Sequence, residues 1–167
     1  MPSADLAVSV DGDGARSGAT EANDPSMGVG RLGDNPGFLA ARYSFFAANI
    51  ANRTLSEFGL RTRSYSLLEL AATGDGMSQG QIGRILCLDK SHIVRLVDEL
   101  VREGLVGRYK DVRDRRVAIV RATAAGRELA ERSAAALSDA YLTMFAGLSE
   151  ADRQDAFRVL RMLGLRF

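Results

Sequence analysis

Between Arg108 and Arg121, six basic side chains (Arg108, Lys110, Arg113, Arg115, Arg116 and Arg121) stand against two acids (Asp111 and Asp114), a local net charge of +4. Guanidinium groups at that density suit one kind of chemistry: paired, charge-assisted hydrogen bonds to phosphate oxygens or base edges. Asp114 fits as an internal partner that holds a neighbouring guanidinium in one direction. Upstream, Lys90, Ser91, His92 and Arg95 form a second group of hydrogen-bond donors. Placed at the start of a helix, where the backbone N–H groups already favour an anion, they suit phosphate and base contacts. Arg95 is the candidate for a base, with the O6/N7 edge of guanine as the commonest target of a guanidinium. His92 is read as a phosphate contact or a spectator.

Other chemistry finds little support in the residue types. With one cysteine and one histidine, a single chain lacks the four ligands of a closed zinc site. Cys87 and His92 are near each other in sequence, but they read as a small buried thiol and a nearby polar histidine rather than a nucleophilic pair. No carboxylate spacing singles out an acid and base. Neither a catalytic residue, a metal nor a cofactor is expected.

The 167 residues carry a formal charge of +1, which hides an asymmetry. Residues 1–36 hold six acids and two arginines, net −4, while the remainder holds 20 basic and 15 acidic residues, net +5. Residues 1–33, rich in Gly, Ala, Ser and Asp, read as a disordered acidic tail. No apolar run approaches the roughly 20 residues of a membrane span, and no secretion signal is evident. A cytoplasmic protein without a membrane role is therefore expected.

The elements that must position these residues follow from apolar spacing and caps. After the turn at Asp34–Gly37, Leu39, Tyr43, Phe46 and Ile50 recur at helical spacing up to a stop at Gly59. Thr62 is a candidate cap for a second helix, with Tyr65 and Leu68 facing the core. Ser78 and Gln81 have the spacing of a capping box for a short helix whose apolar face is Ile82, Ile85 and Leu86. Asp89 caps a fourth helix in which Ile93, Leu96, Val97 and Leu100 form one stripe and Ser91, Arg95, Asp98 and Arg102 the opposite face. Two β-prone runs, entered after Gly104 and at Arg116, flank the arginine cluster and make it the tip of a hairpin. A helix-turn-helix followed by such a hairpin is a winged helix. A narrow tip can enter the minor groove, while Asp98 and Glu99 would repel DNA, so only the first turn and a half of the helix is expected in the major groove. Thr123 then caps a long helix, and Ser149 with Asp152 starts a last one.

Three stretches carry a resemblance: GLRTRSYSLLELA (59–71), SQGQIGRILCLDKSHIVRLVDELVREGLVGR (78–108) and DVRDRRVAIVRATAAG (111–126). In order and spacing they resemble the MarR family of winged-helix regulators, over about residues 38–165. The resemblance implies a mainly α (α+β) fold: a winged helix-turn-helix with a two-stranded β-hairpin wing and long N- and C-terminal dimerisation helices. It places a MarR-type domain at 34–167, with the DNA-binding lobe at about 60–122 and dimerisation helices at about 37–58 and 124–165. It further implies a homodimer on double-stranded DNA, repressing from a palindromic operator until a small organic ligand releases it.

The DNA contacts on this reading are Ser78, Lys90, Ser91, His92, Arg95, Arg113, Asp114, Arg115 and Arg116. An aromatic or phenolic effector would meet Tyr43, Phe46, Arg63 and Tyr65, in a pocket the resemblance puts between the dimer helices and the DNA-binding lobe. Oxidant-sensing members carry their cysteine near the first helix, whereas Cys87 lies in the helix-turn-helix turn and reads as a structural thiol. The apolar stripes of the first and last helices support the dimer independently, since a wing module of about 65 residues offers too little surface to cover them. Two alternatives keep the fold: an architectural or weakly specific DNA-binding protein without an effector, and a winged-helix protein-interaction module.

Overall fold

A computed structural model describes residues 28–111 and 115–165. The expected tail over residues 1–27, and Arg113 and Asp114 at the hairpin tip, lie outside the described residues. The chain divides into two compact units, Met1–Ala40 and Ala41–Phe167. The described part of the first holds a 3-10 turn, Gly30–Asp34, within the stretch that composition assigns to the tail. It also holds the start of α1 (Pro36–Ser56), where Oδ1 of Asn35 accepts the Phe38 N–H at 2.9 Å. Pro36 supplies the fixed φ suited to a first helical residue.

The second unit continues α1 into α2 (Thr62–Ala72), β1 (Met77–Ser78), α3 (Gln79–Ile85), α4 (Lys90–Arg102), β2 (Val106–Lys110), β3 (Ala118–Ala122), α5 (Ala124–Leu142) and α6 (Glu150–Gly164). The predominantly helical winged helix-turn-helix is therefore as expected. Three of its helices start where local chemistry says they should. Ser78 exchanges bonds with Gln81, Thr123 Oγ1 accepts the Gly126 N–H at 3.0 Å, and Ser149 Oγ accepts the Asp152 N–H at 3.2 Å.

The start of α2 differs from expectation. Thr62 is its first residue rather than its cap; Arg61 holds the cap position, and its N–H donates to Ser64 Oγ at 2.9 Å. Thr62 instead gives both its N–H and its hydroxyl to Oδ1 of Asn52 on α1, at 3.2 and 2.9 Å. A side chain ten positions away performs the capping, and no local spacing reveals it.

The wing is one strand wider than expected. β2 and β3 pair in register from Val106↔Ala122 to Lys110↔Ala118, and β1 adds to the other edge of β3 through Met77↔Val120 and Ser78↔Ile119. The sheet order is thus β1-β3-β2. β1 is too short to show an alternating pattern, and its pairing is long-range.

Ile82, Ile93, Val97, Leu100 and Val120 are almost wholly buried, together with Leu55, Leu67 and Leu68 from α1 and α2. Ile85, expected on the apolar face of α3, is instead 55% exposed. Cys87 is exposed as well, not the buried thiol expected. It is the one non-glycine residue with positive φ (51°) among those described, and its neighbours Leu86 and Leu88 take the positions against the core. Leu39 and Phe46 of the α1 stripe are also exposed. Periodicity identifies an apolar face but not what covers it.

One junction ties α4, the sheet and α5 together. Gly104, with φ 71°, ends α4 in the left-handed region, and the Leu105 N–H returns to the Leu100 carbonyl at 2.9 Å. The Leu105 carbonyl then accepts the Thr123 N–H at 3.0 Å. Gly126, in the first turn of α5, packs so closely that an added Cβ would sit 1.9 Å from that same oxygen. At an unconstrained helical site Gly→Ala stabilises by about 1 kcal/mol. Here overpacking, typically about 1–3 kcal/mol, reverses the sign. Gly126→Ala is therefore expected to lower the urea midpoint of unfolding; an unchanged or raised midpoint would mean that α5 and Leu105 are not in backbone contact.

Candidate nucleic-acid interface

The start of α4 is organised by one carboxylate. Asp89 Oδ1 accepts the N–H of Ser91 at 2.9 Å, the N–H of His92 at 3.0 Å and the Ser91 hydroxyl at 2.6 Å. Its Oδ2 faces His92 Nδ1 at 2.5 Å. The Ser91 side chain first, then the backbone and imidazole of His92, hold the Asp89 carboxyl well below the usual carboxylate range. An ionised carboxylate only accepts, so Nδ1 of His92 carries the hydrogen in this pair and Nε2 is the free ring nitrogen. Ser91 and His92 are thus oriented from within, Ser91 with its hydroxyl proton committed. Lys90 and Arg95 are exposed on the same helix, and neither makes an ion pair among the described residues.

The wing reaches the polar face of α4. Arg108 on β2 pairs with Asp98, so that carboxylate is neutralised from inside the protein rather than left to repel a polyanion. With side chains 34% and 52% exposed, such a pair contributes only about 0.2–1 kcal/mol. Burial of Val97 and Leu100 beneath it, worth about 1.5–3 kcal/mol for each side chain, is what sets α4 against the sheet. Arg121 on β3 is occupied too: its Nε donates to the Asp75 carbonyl at 2.9 Å, and its guanidinium lies 5.2 Å from the Tyr109 ring centre. Lys110, Arg115 and Arg116, nearer the tip, are exposed. Ser78 is half-buried and caps α3, its hydroxyl donating to Gln81 Oε1 at 2.8 Å.

The effector candidates separate. Tyr43 and Tyr65 are half-buried. Burial raises the Tyr43 hydroxyl, while burial, then the charge and hydrogen bond of Glu69, and then Tyr141 push Tyr65 up to about 12. Tyr141, raised by burial and then by Tyr43, links the two. Phe46 lies apart from them on α1, edge-on to Phe45 at 5.5 Å and beneath the Arg42 guanidinium. Arg63 is exposed. Glu69 and Tyr141, which act on Tyr65, are not among the effector candidates read from the sequence. The four-residue spacing of Tyr65 and Glu69 on one helix was the available signal.

Among the described residues no three His, Cys, Asp or Glu side chains cluster to hold a metal, and no helix is long and apolar enough to cross a membrane.

Comparison with known proteins gives a consistent set of likenesses. A family model described as MarR family matches residues 60–118. A transcriptional regulator (MarR family) from Rhodococcus sp. RHA1 is 34% identical with a TM-score of 0.75, covering 81% of this chain and 96% of that one. CouR from Rhodococcus jostii RHA1, solved bound to p-coumaroyl-CoA, is 35% identical with a TM-score of 0.73 over the same shares. The PcaV transcriptional regulator from Streptomyces coelicolor, solved with its natural ligand, is 26% identical with a TM-score of 0.68, covering 79% of this chain and 93% of that one.

Because the native Asp89 carboxyl is lowered, its contribution to stability is present above the ordinary carboxylate range and is lost as pH falls through the native value. Asp89→Ala should therefore lower the melting temperature at neutral pH, and the gap from the native chain should close on acidification in circular-dichroism melts. A gap that stays constant into strong acid would show that Asp89 does not act as an ionised cap.

Proposed function

The chain belongs to the MarR family of winged-helix transcriptional regulators, and from that premise we propose that it is a homodimeric repressor that leaves its operator when a small aromatic molecule binds. The observation that carries the DNA reading is the Arg108–Asp98 pair, by which the wing meets the polar side of the helix that bears Arg95. Lys90, Ser91, His92 and Arg95 form the major-groove end, with Arg95 on a base. Arg113, Arg115 and Arg116 form the wing contact, with Asp114 as their internal partner. Ser78 supports the start of α3 beside the duplex.

The dimer is supported by exposed apolar surface. None of the described residues of α6 is buried, and Phe157, Leu160 and Leu163 on it are 47%, 36% and 52% exposed. Contiguous apolar surface of that kind marks an interface. A second copy covers it and sets two recognition helices at the spacing of two half-sites. The effector reading is supported by Tyr43 and Tyr65, partly buried rings with a polar end, and by a relative that binds an aromatic acyl thioester. Phe46 and Arg63 stand at its margin. The protein acts in the cytoplasm and is not an enzyme. Residues 1–33 form its acidic tail, 60–122 the DNA-binding lobe, and 37–58 with 124–165 the dimerisation helices.

Repression is relieved only if the effector binds the two states of the dimer with different affinity, and a coupling of about 1–3 kcal/mol is sufficient. Two substitutions separate the DNA roles. Arg115→Ala should weaken binding to all sequences and reduce the salt slope by about one phosphate contact, while Arg95→Ala should cost about 1–3 kcal/mol and relax preference at one or two positions of each half-site. Fluorescence anisotropy on DNA selected from a random pool, repeated across salt, measures both. Unchanged affinity in both variants contradicts the interface, and equal affinity of the native chain for selected and bulk DNA favours an architectural role.

A further inference from the structure

Ser91 and His92, donors by residue type, are left with little to donate once Asp89 is in place. The Ser91 hydroxyl gives its proton to Asp89 Oδ1 at 2.6 Å, and Nδ1 of His92 gives its hydrogen to Oδ2 at 2.5 Å. Oδ1 also accepts the backbone N–H of both residues, which fixes the carboxylate and leaves Oδ2 to the ring. Held ionised by these bonds, the carboxylate can only accept. What the neutral imidazole then presents outward is the lone pair of Nε2, which has no hydrogen-bond partner among the described residues. The His92 side chain is 43% exposed, and Arg95, three residues on, is exposed on the same side of α4.

A lone pair cannot bond to a phosphate oxygen, which is itself only an acceptor, and the adjacent carboxylate repels one. In the major groove the polar hydrogens a base offers are those of the exocyclic amines, adenine N6 and cytosine N4. We propose that the Asp89–His92 pair is a base reader: Nε2 of His92 accepts from an adenine or cytosine amine, and Asp89 is the positioning residue that keeps the ring an acceptor. The assignment rests on the DNA-binding reading above and gives His92 a base in place of a phosphate. With Arg95 on a guanine, each half-site then holds an amino-bearing base about one or two base pairs from that guanine, since three helical residues rise about 4.5 Å against about 3.4 Å per base pair.

The chain has one histidine, so the imidazole nitrogen resonances of the untagged full-length protein belong to His92 alone. Spectra at about pH 8, above the ordinary imidazole range, report which ring nitrogen carries the hydrogen. The native protein should show it on Nδ1, with Nε2 bare, both free and on DNA. In Asp89→Asn, Oδ1 keeps the cap while an amide nitrogen replaces Oδ2; it donates to Nδ1 and moves the ring hydrogen to Nε2. Selection from a random DNA pool reads the consequence. For the native chain one position per half-site, read on one strand, should favour A or C about three- to tenfold, the worth of one hydrogen bond. His92→Ala should lose that preference at that position alone, and Asp89→Asn should turn it to G or T, whose O6 and O4 accept. If Asp89→Asn does not fold by circular dichroism, the native spectrum and His92→Ala decide. A hydrogen on Nε2 of the native protein, no position altered in His92→Ala, or an unchanged preference in folded Asp89→Asn each overturns the assignment while leaving the regulator reading intact. That reading fails separately, if the native chain enriches no sequence from the pool.

Discussion

The Leu105 carbonyl is where three parts of the chain are held in one geometry. Helix α4 ends three residues before it, β2 begins one residue after it, and the first turn of α5 rests on it with no room for a methyl group. Thr123 adds its backbone N–H to that oxygen and its hydroxyl to the Gly104 carbonyl at 2.8 Å. Backbone groups that close do not slide past one another as side chains can. The wing therefore keeps its angle to α4, and the base of α5 keeps its angle to both.

Upon that frame the acidic residues around the start of α4 and the wing act as organisers. Asp89 gathers four donors from Ser91 and His92, Asp98 takes Arg108, and the Asp75 carbonyl takes Arg121. Exposed pairs of this kind add little stability. Their effect is to orient some cations inward and leave Lys90, Arg95 and Arg115 outward. A count of charge overstates the cationic surface for that reason: Arg108 and Arg121, at the two ends of the basic stretch, hold the wing to its support.

Local chemistry was legible in the sequence, and long-range chemistry was not. Ser78, Asp89, Thr123 and Ser149 each cap a helix with bonds spanning two or three residues, and each could be read from spacing alone. The α4 stripe was equally plain, because its alternation of apolar and polar faces is strong over thirteen residues. The cap that Asn52 lends to Thr62, the pairing of Met77 with Val120 and the packing of Tyr65 and Tyr141 against one core join residues far apart in the chain. Cys87 shows a different gap: residue type alone suggests burial, but the turn gives the inner positions to the leucines on either side of it.

The central claim is that the start of α4 and the wing bind one duplex as a single surface. Amide chemical shifts of the isotopically labelled protein, followed during titration with DNA selected for binding, test it most directly. The account predicts that Lys90 to Arg95 and the wing from Arg108 to Ala118 shift together, along curves that fit one Kd. Perturbation of either segment alone, or of the two with different affinities, would contradict it.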